Sequence, residues 1–216
     1  VTPNVLLTGF EPFDGEAVNP SGEIVRALDG EIVCGHRIVT AILPVAFAST
    51  LPTLEALLDA HRPALVIATG QAGGRSELAI ERIAANLVDA RIPDADGEQP
   101  IDARVIDDAP NAYFSTLPVK AMLERLRRLG IPALLSQTAG TYVCNQAFFV
   151  LAHLVATRYQ ETRAGFVHVP WLPEQAARHW GQPSMALDTM VEGVRAAIDC
   201  ALATTNDARF AGGETY

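Results

Sequence analysis

Short apolar runs alternate with amphipathic stretches along this chain, and most runs end at a cap or turn signal. Val5-Leu6-Leu7-Thr8-Gly9 is continuously apolar up to Gly, which predicts a buried strand. Asn19-Pro20 predicts a helix start, since Asn can cap and Pro fits the first turn. Ile24, Val25 and Leu28 give that helix an apolar face, and Gly30 stops it. Arg37 to Val45 is rich in β-branched residues and predicts a strand. Leu51, Leu54, Leu57 and Leu58 predict a helix ending near Arg62-Pro63. The clearest buried strand is Ala64 to Gly70. Leu78 to Asp89 fits neither the helical nor the strand period, and Arg91 to Asn111, rich in Asp and Pro, reads as a long excursion loop. Val119 to Leu129 predicts a helix ended by Gly130, and Ala133 to Ser136 a short strand. Ala147, Phe148, Leu151, Leu154 and Val155 mark a helix behind Cys144. Ala164 to Pro170 predicts another strand and Met185 to Ala203 a closing helix; the tail from Asn206 reads as frayed.

Strands alternating with helices predict an α/β fold, a three-layer α/β/α sandwich around a central, mainly parallel (mixed) twisted sheet. No repeat or linker divides the chain, so residues 1–216 read as a single catalytic domain. In open α/β sheets, sites form beyond the carboxyl ends of strands. Gly9-Phe10, Gly70-Gln71, the approach to Cys144 and His168-Val169-Pro170 are all expected on that edge.

Of the 216 residues, 49% are hydrophobic and 19% charged, enough for one full-sized core. The formal net charge of -9 and the lack of a basic cluster beyond Arg125-Leu126-Arg127-Arg128 argue against nucleic-acid and membrane partners. The three cysteines, Cys34, Cys144 and Cys200, are far apart and odd in number, which fits a reducing, cytoplasmic setting better than a disulfide framework. No apolar stretch approaches the ~18 residues of a membrane span. The histidines form no H-x-H or H-x-x-x-H pattern, so no metal site is expected.

Cys144 carries the strongest chemical signal. It stands where a strand hands over to a helix, behind a Gly-containing approach, and unpaired N–H groups at a helix start favour thiolate. A nucleophile and a buried structural thiol are both compatible with that placement. His168 lies among apolar neighbours and is compatible with a core histidine or with a base beside a thiol. Glu81, flanked by Ile80 and Ile83, could orient a histidine as the acid of a triad does, or pair with Arg82 at the surface. Gly73-Gly74-Arg75 follows the best strand and could cradle an anion, although its spacing matches neither a P-loop nor a dinucleotide fingerprint. Phe10 and Phe13 place two aromatics in one loop, able to grip a flat ligand or to cover the core edge.

Taken together, the blocks Thr8-Gly9-Phe10-Glu11-Pro12-Phe13, Asn19-Pro20-Ser21, Leu43-Pro44-Val45, Gly70 to Arg75, Glu81-Arg82, Asn86, Asp89 to Asp94, Gly97, Ser136 to Gln146 and Phe166 to Pro170 resemble the pyroglutamyl peptidase I family, also called pyrrolidone-carboxylate peptidases. The likeness spans most of the chain. It implies a cysteine peptidase that removes N-terminal pyroglutamate from peptides without metal or cofactor. It further implies Cys144 as nucleophile, His168 as catalytic histidine and Glu81 as acidic partner. The lactam would meet Phe10 and Phe13, with polar recognition near Gln71; Arg91 would serve the oxyanion site, and Tyr142, just before the nucleophile, would border the substrate. A homotetramer is implied by the same likeness. Two further readings use the residues differently. A phosphorylase or nucleosidase would bind phosphate at Gly73-Gly74-Arg75, and a non-catalytic ligand-binding module would keep Cys144 as a structural thiol.

Overall fold

The computed structural model describes residues 2–213. In chain order the elements are β1 (Asn4–Phe10), α1 (Pro20–Leu28), β2 (Ile32–Val33), β3 (His36–Leu43), α2 (Phe47–His61), β4 (Leu65–Gln71), β5 (Leu78–Glu81), β6 (Ile83–Ala85), β7 (Ala112–Phe114), α3 (Val119–Arg128), β8 (Ala133–Ser136), α4 (Val143–Thr157), β9 (Arg163–Val169), α5 (Pro173–Ala176) and α6 (Leu187–Ala203). Seven strands form one sheet in the order β2-β3-β1-β4-β9-β5-β8, and β6 pairs with β7 in a separate ribbon. Strands β3, β1, β4 and β9 are parallel, whereas β2, β5 and β8 run the opposite way.

The central strands are apolar throughout because both faces are covered. Leu7, Ile67 and Val167 point into a core shared with Ile24 of α1, Met122 of α3 and Val194 of α6. Leu6, Val66 and Phe166 point the other way, toward Leu54 of α2 and Phe148 of α4. This is the predicted three-layer arrangement.

Several local expectations change. The Leu78–Asp89 segment showed no single period because it serves two sheets. Its chain leaves the main sheet after Glu81 and joins the β6–β7 ribbon at Ile83, so side-chain parity is not continuous. The Cys34-Gly35 turn, with φ of 47° and 73°, adds the unpredicted edge strand β2; two successive positive φ angles suit a type I′ hairpin. Residues 207–213 are not simply frayed either, and the rest of the predicted tail, 214–216, lies outside the described residues. Asp207 accepts the Lys120 and Ala121 N–H groups at the start of α3, where α3 has no side-chain cap of its own.

The excursion is held by buried polar side chains. Asn86 donates to the carbonyls of Ile106 and Pro110 and accepts the N–H groups of Val105 and Ile106. Asp94 takes the Phe47 N–H at 2.7 Å, capping α2 from a distance, and also accepts from Asp96 and Glu98. Asn145, fully buried one residue after Cys144, bonds the backbone of Ala85 and Leu87. The loop is thereby fastened to the start of α4.

Candidate active site

β9 and β5 bring a histidine and a carboxylate together by register. Ala79 lies opposite His168 and Glu81 opposite Phe166, so Glu81 and His168 are diagonal neighbours on the same sheet face. The reach between them is closed by a 2.7 Å hydrogen bond from His168 Nδ1 to Glu81 Oε1, with His168 4% exposed and Glu81 0% exposed. A carboxylate only accepts, so Nδ1 carries the proton that faces Glu81 and Nε2 is left with its lone pair. Arg75 donates to the same Glu81 oxygen at 3.1 Å. Glu81 Oε2 is buried and has no protein partner. Arg75 was not foreseen in this role; its place six residues before Glu81, just after a tight Gly turn, was the only signal. Arg82, the alternative partner of Glu81, instead reaches Gln137.

The thiol arrives from the facing layer. The sequence placed Cys144 beyond a strand end on the edge shared with β4 and β9. However, β8 runs antiparallel to β9, and its last residue, Ser136, is level with Glu81 and hence with the middle of β9. Residues 137–142 carry the chain to the start of α4, which sets Cys144 against Gly70 at the end of β4. Gly70 is the register partner of His168. A Cβ at Gly70 would lie 2.8 Å from Cys144 Sγ and 2.8 Å from Phe166 Cζ, so only glycine leaves room for the sulfur. The Phe166 and His168 rings are in contact, with centroids 4.8 Å apart.

The expected thiolate is not the resting form. Burial, and then the charge of Glu81, push the Cys144 thiol up to about 12. Desolvation and the nearby negative charge both oppose the thiolate that a helix start favours. The sulfur is a neutral thiol at neutral pH and needs a base to become a nucleophile. The start of α4 has no side-chain cap, which leaves first-turn N–H groups, including that of Cys144, available to an incoming oxygen.

Beside the sulfur is a narrow cleft lined by Phe10, Phe13, Asn19, Val45, Gln71, Tyr142, Val143 and Cys144. Phe10 is 2% exposed and serves the core as well as the cleft. Phe13 and Tyr142 face each other with ring centroids 6.4 Å apart, and Tyr142 is braced by Phe47 and by a hydrogen bond to the Pro93 carbonyl. Burial raises the Tyr142 hydroxyl to about 12, with the carboxylates of Asp94 and Asp14 adding to the effect, so it stays neutral. Asn19 and Val45 line the cleft without having been singled out for it. Arg91 is exposed and lines a different cleft, with Gly73, Gly74, Trp171 and His179, that shares no lining residue with the one beside Cys144. Roomier grooves elsewhere, such as that beside Cys34, Arg125 and Arg195, contain none of these groups.

Gly70→Ala is expected to overpack the contact with Cys144 at a cost of about 1–3 kcal/mol. A sulfur displaced by ~1 Å should lower kcat on the order of 10²-fold. A thermal melt and kcat, measured together, check this; unchanged kcat would mean that the sulfur need not sit against β4.

The comparisons with known proteins match this arrangement along nearly its whole length. The family model for pyroglutamyl peptidase matches residues 3–204. The chain belongs to the pyroglutamyl peptidase family. It is thus a hydrolase of the cysteine-type omega peptidase class. Among family relatives, the pyrrolidone-carboxylate peptidase of Cupriavidus taiwanensis is 55% identical over 215 residues, covering 99% of this chain and 100% of the relative. That of Klebsiella pneumoniae is 50% identical over 212 residues, covering 98% and 99%. Among solved structures of the family, pyroglutamyl peptidase I from Bacillus amyloliquefaciens superposes with a TM-score of 0.95 at 39% identity, covering 98% of this chain and 100% of that one. As for membranes, no helix among the described residues is long and apolar enough to cross one.

Proposed function

We propose that this protein removes N-terminal pyroglutamate from peptides through a Cys144–His168–Glu81 triad and a thioester intermediate. The observation that carries this reading is the buried His168–Glu81 pair, placed across Gly70 from a thiol that borders an aromatic cleft. The lactam ring enters between Phe13 and Tyr142 and above Phe10, with Gln71 at its polar edge. His168 Nε2 takes the thiol proton as Cys144 Sγ attacks the carbonyl carbon that joins the ring to the next residue. Glu81 holds the Nδ1–H and stabilises the imidazolium. The Cys144 N–H donates a hydrogen bond to the developing oxyanion, with Arg91 as a second donor to it. His168 then gives its proton to the departing amine, and it activates the water that hydrolyses the thioester.

The cleft's chemistry suits pyroglutamate. The ring is nearly flat and carries no α-amine charge. A glutamyl or prolyl N-terminus would bring an ammonium group into an aromatic slot with no carboxylate lining it, at a desolvation cost. Rates of chromophore release from pyroglutamyl, prolyl and glutamyl amides test this. Release from the pyroglutamyl amide alone is expected; equal hydrolysis of the prolyl amide would contradict it. Phosphate chemistry at Gly73-Gly74-Arg75 has no comparable support. The Arg75 guanidinium is bonded to Glu81, and Trp171 covers Gly73 so closely that a Cβ there would meet its ring at 2.4 Å.

Glu81→Gln is expected to keep KM and to lower kcat by about 10–10²-fold, the worth of one charge-assisted hydrogen bond. The loss should be milder than a tautomer fault. Arg75 can only donate, so it holds the amide oxygen at the position that also faces His168. An unchanged kcat would remove Glu81 from the triad. The reading extends to a homotetramer, as the family resemblance implies, acting in the reducing cytoplasm that the cysteine usage suggests; sedimentation checks the assembly.

A further inference from the structure

Phe13 opens a four-residue turn that Glu16 closes. Asp14 and Gly15 have φ of 54° and 74°, as in a type I′ turn, and the Glu16 N–H donates to the Phe13 carbonyl at 3.1 Å. One side of this turn is open: a cleft lined by Phe13, Asp14, Pro93 and Tyr142 lies between it and residues 92–95. The turn is fastened instead through the Glu16 carboxylate, whose side chain is 12% exposed. Glu16 Oε1 accepts from His179 Nε2 at 2.7 Å, and Oε2 accepts from Arg178 at 2.8 Å and Gln175 Nε2 at 3.3 Å. The His179 bond outweighs burial and holds the Glu16 carboxyl below its ordinary range. All three donors belong to the segment that follows β9. That segment is itself tied to the body of the fold. Gln175 is fully buried, takes the Leu172 N–H on its Oε1 and donates to the Val18 carbonyl. His179 stacks on Trp171 with ring centroids 4.2 Å apart, and the Trp171 ring packs on Gly73 just beyond β4.

We infer that Glu16 is a positioning residue for the cleft beside Cys144: by fastening the Phe13 turn to the segment after β9, it holds the Phe13 ring at its place opposite Tyr142. This role rests on the pyroglutamyl reading of that cleft and names what fixes its movable wall. Contact between a flat ligand and an aromatic wall depends steeply on distance. A gap of about 0.5–1 Å forfeits roughly a quarter to a half of the attraction. Glu16 does not itself line the cleft, so its loss should be felt through Phe13.

A double-mutant cycle separates this role from general support of the fold. KM for a pyroglutamyl amide and the inhibition constant of 2-pyrrolidone, the bare lactam ring, are measured for the parent, Glu16→Ala, Phe13→Ala and the double variant. Glu16→Ala should raise both constants by about fivefold and Phe13→Ala by about tenfold, the scale of an aromatic contact weakened or lost. The kcat of Glu16→Ala should change by less than about threefold, because Cys144 and His168 are not touched. The double variant should stay within about twofold of Phe13→Ala, since Glu16 then has no ring to hold in place. Glu16→Gln keeps the length but sets an amide against three donors; it carries the same cycle if the alanine variant does not fold. Additive losses of about fiftyfold in the double variant would overturn the inference while leaving the peptidase reading intact. So would unchanged constants in either single variant, or a loss in Glu16→Ala confined to kcat. A parent protein that neither cleaves the amide nor is inhibited by 2-pyrrolidone would overturn both.

Discussion

Cys144→Ala is expected to lose activity on pyroglutamyl amides by on the order of 10⁴–10⁶ while keeping the fold, the scale seen when a covalent nucleophile is removed. No other thiol can substitute. Cys34 is exposed beside Asp199, and Cys200 is buried in α6, in the opposite helical layer. The cleft, the His168–Glu81 pair and the fastening of α4 by Asn145 do not depend on the sulfur, so the melt should stay close to that of the parent. A second consequence follows from proton linkage. The thiol's folded pKa, about 12, stands above its ordinary value of 9.0, so the folded protein holds a proton that the unfolded chain has lost across that window. This contribution to stability is complete below about pH 9 and disappears as pH rises toward about 12. The alanine variant should therefore lose less melting temperature than the parent between pH 8 and 10, by the direction of this linkage. Kinetics and melts at several pH values check both statements. Activity within about tenfold of the parent would rule out Cys144 as the nucleophile.

His168→Gln is expected to be the next most damaging change, with kcat lowered on the order of 10²–10⁴, the range for losing a positioned general base. Here the base matters more than in sites whose thiol ionises unaided, because burial keeps the Cys144 proton in place at neutral pH. Glutamine cannot accept a proton and return it to the leaving amine. Raising the pH toward the thiol's own ionisation should restore part of the variant's rate, since hydroxide then performs the deprotonation. The parent should show no such rise. The substitution also leaves the Glu81 carboxylate with Arg75 as its remaining side-chain partner, so some loss of stability should accompany it. A pH series of kcat for the two proteins separates these effects, and a variant rate that is flat with pH would contradict general-base activation.

Much of the scaffold was legible because local signals agreed with burial. β1, β4 and β9 read as apolar runs since both of their faces are covered, and Asn19-Pro20 marked α1, where Asn19 Oδ1 does accept the Ser21 N–H. Cys144 and His168 stood out by residue type at element ends. The pairing of Glu81 with His168, rather than with Arg82, was legible only through the family resemblance, because it depends on β5 running antiparallel to β9. Nothing near Leu78–Glu81 in sequence encodes that direction. For the same reason the route to Cys144 was misplaced: a short strand such as β8 carries no mark of its orientation. The polar residues that hold the site are similarly silent. Asn86, Asp94 and Asn145 look like loop or helix polar residues until the backbone groups they satisfy are brought beside them. Gln175 had a faint signature, three residues beyond Leu172 at a Pro-started turn of helix, where Gln often returns to the N-cap N–H.

The central claim, that the Cys144 sulfur attacks the pyroglutamyl carbonyl, is most directly tested by titrating activity against alkylation. Iodoacetamide is added in steps, the fraction of Cys144 modified is read by peptide mass spectrometry, and amine release from a pyroglutamyl amide is measured on the same samples. The expected result is activity that falls in proportion to Cys144 modification and reaches zero when it is complete, with 2-pyrrolidone slowing both together. Full modification of Cys144 with activity retained would contradict the account.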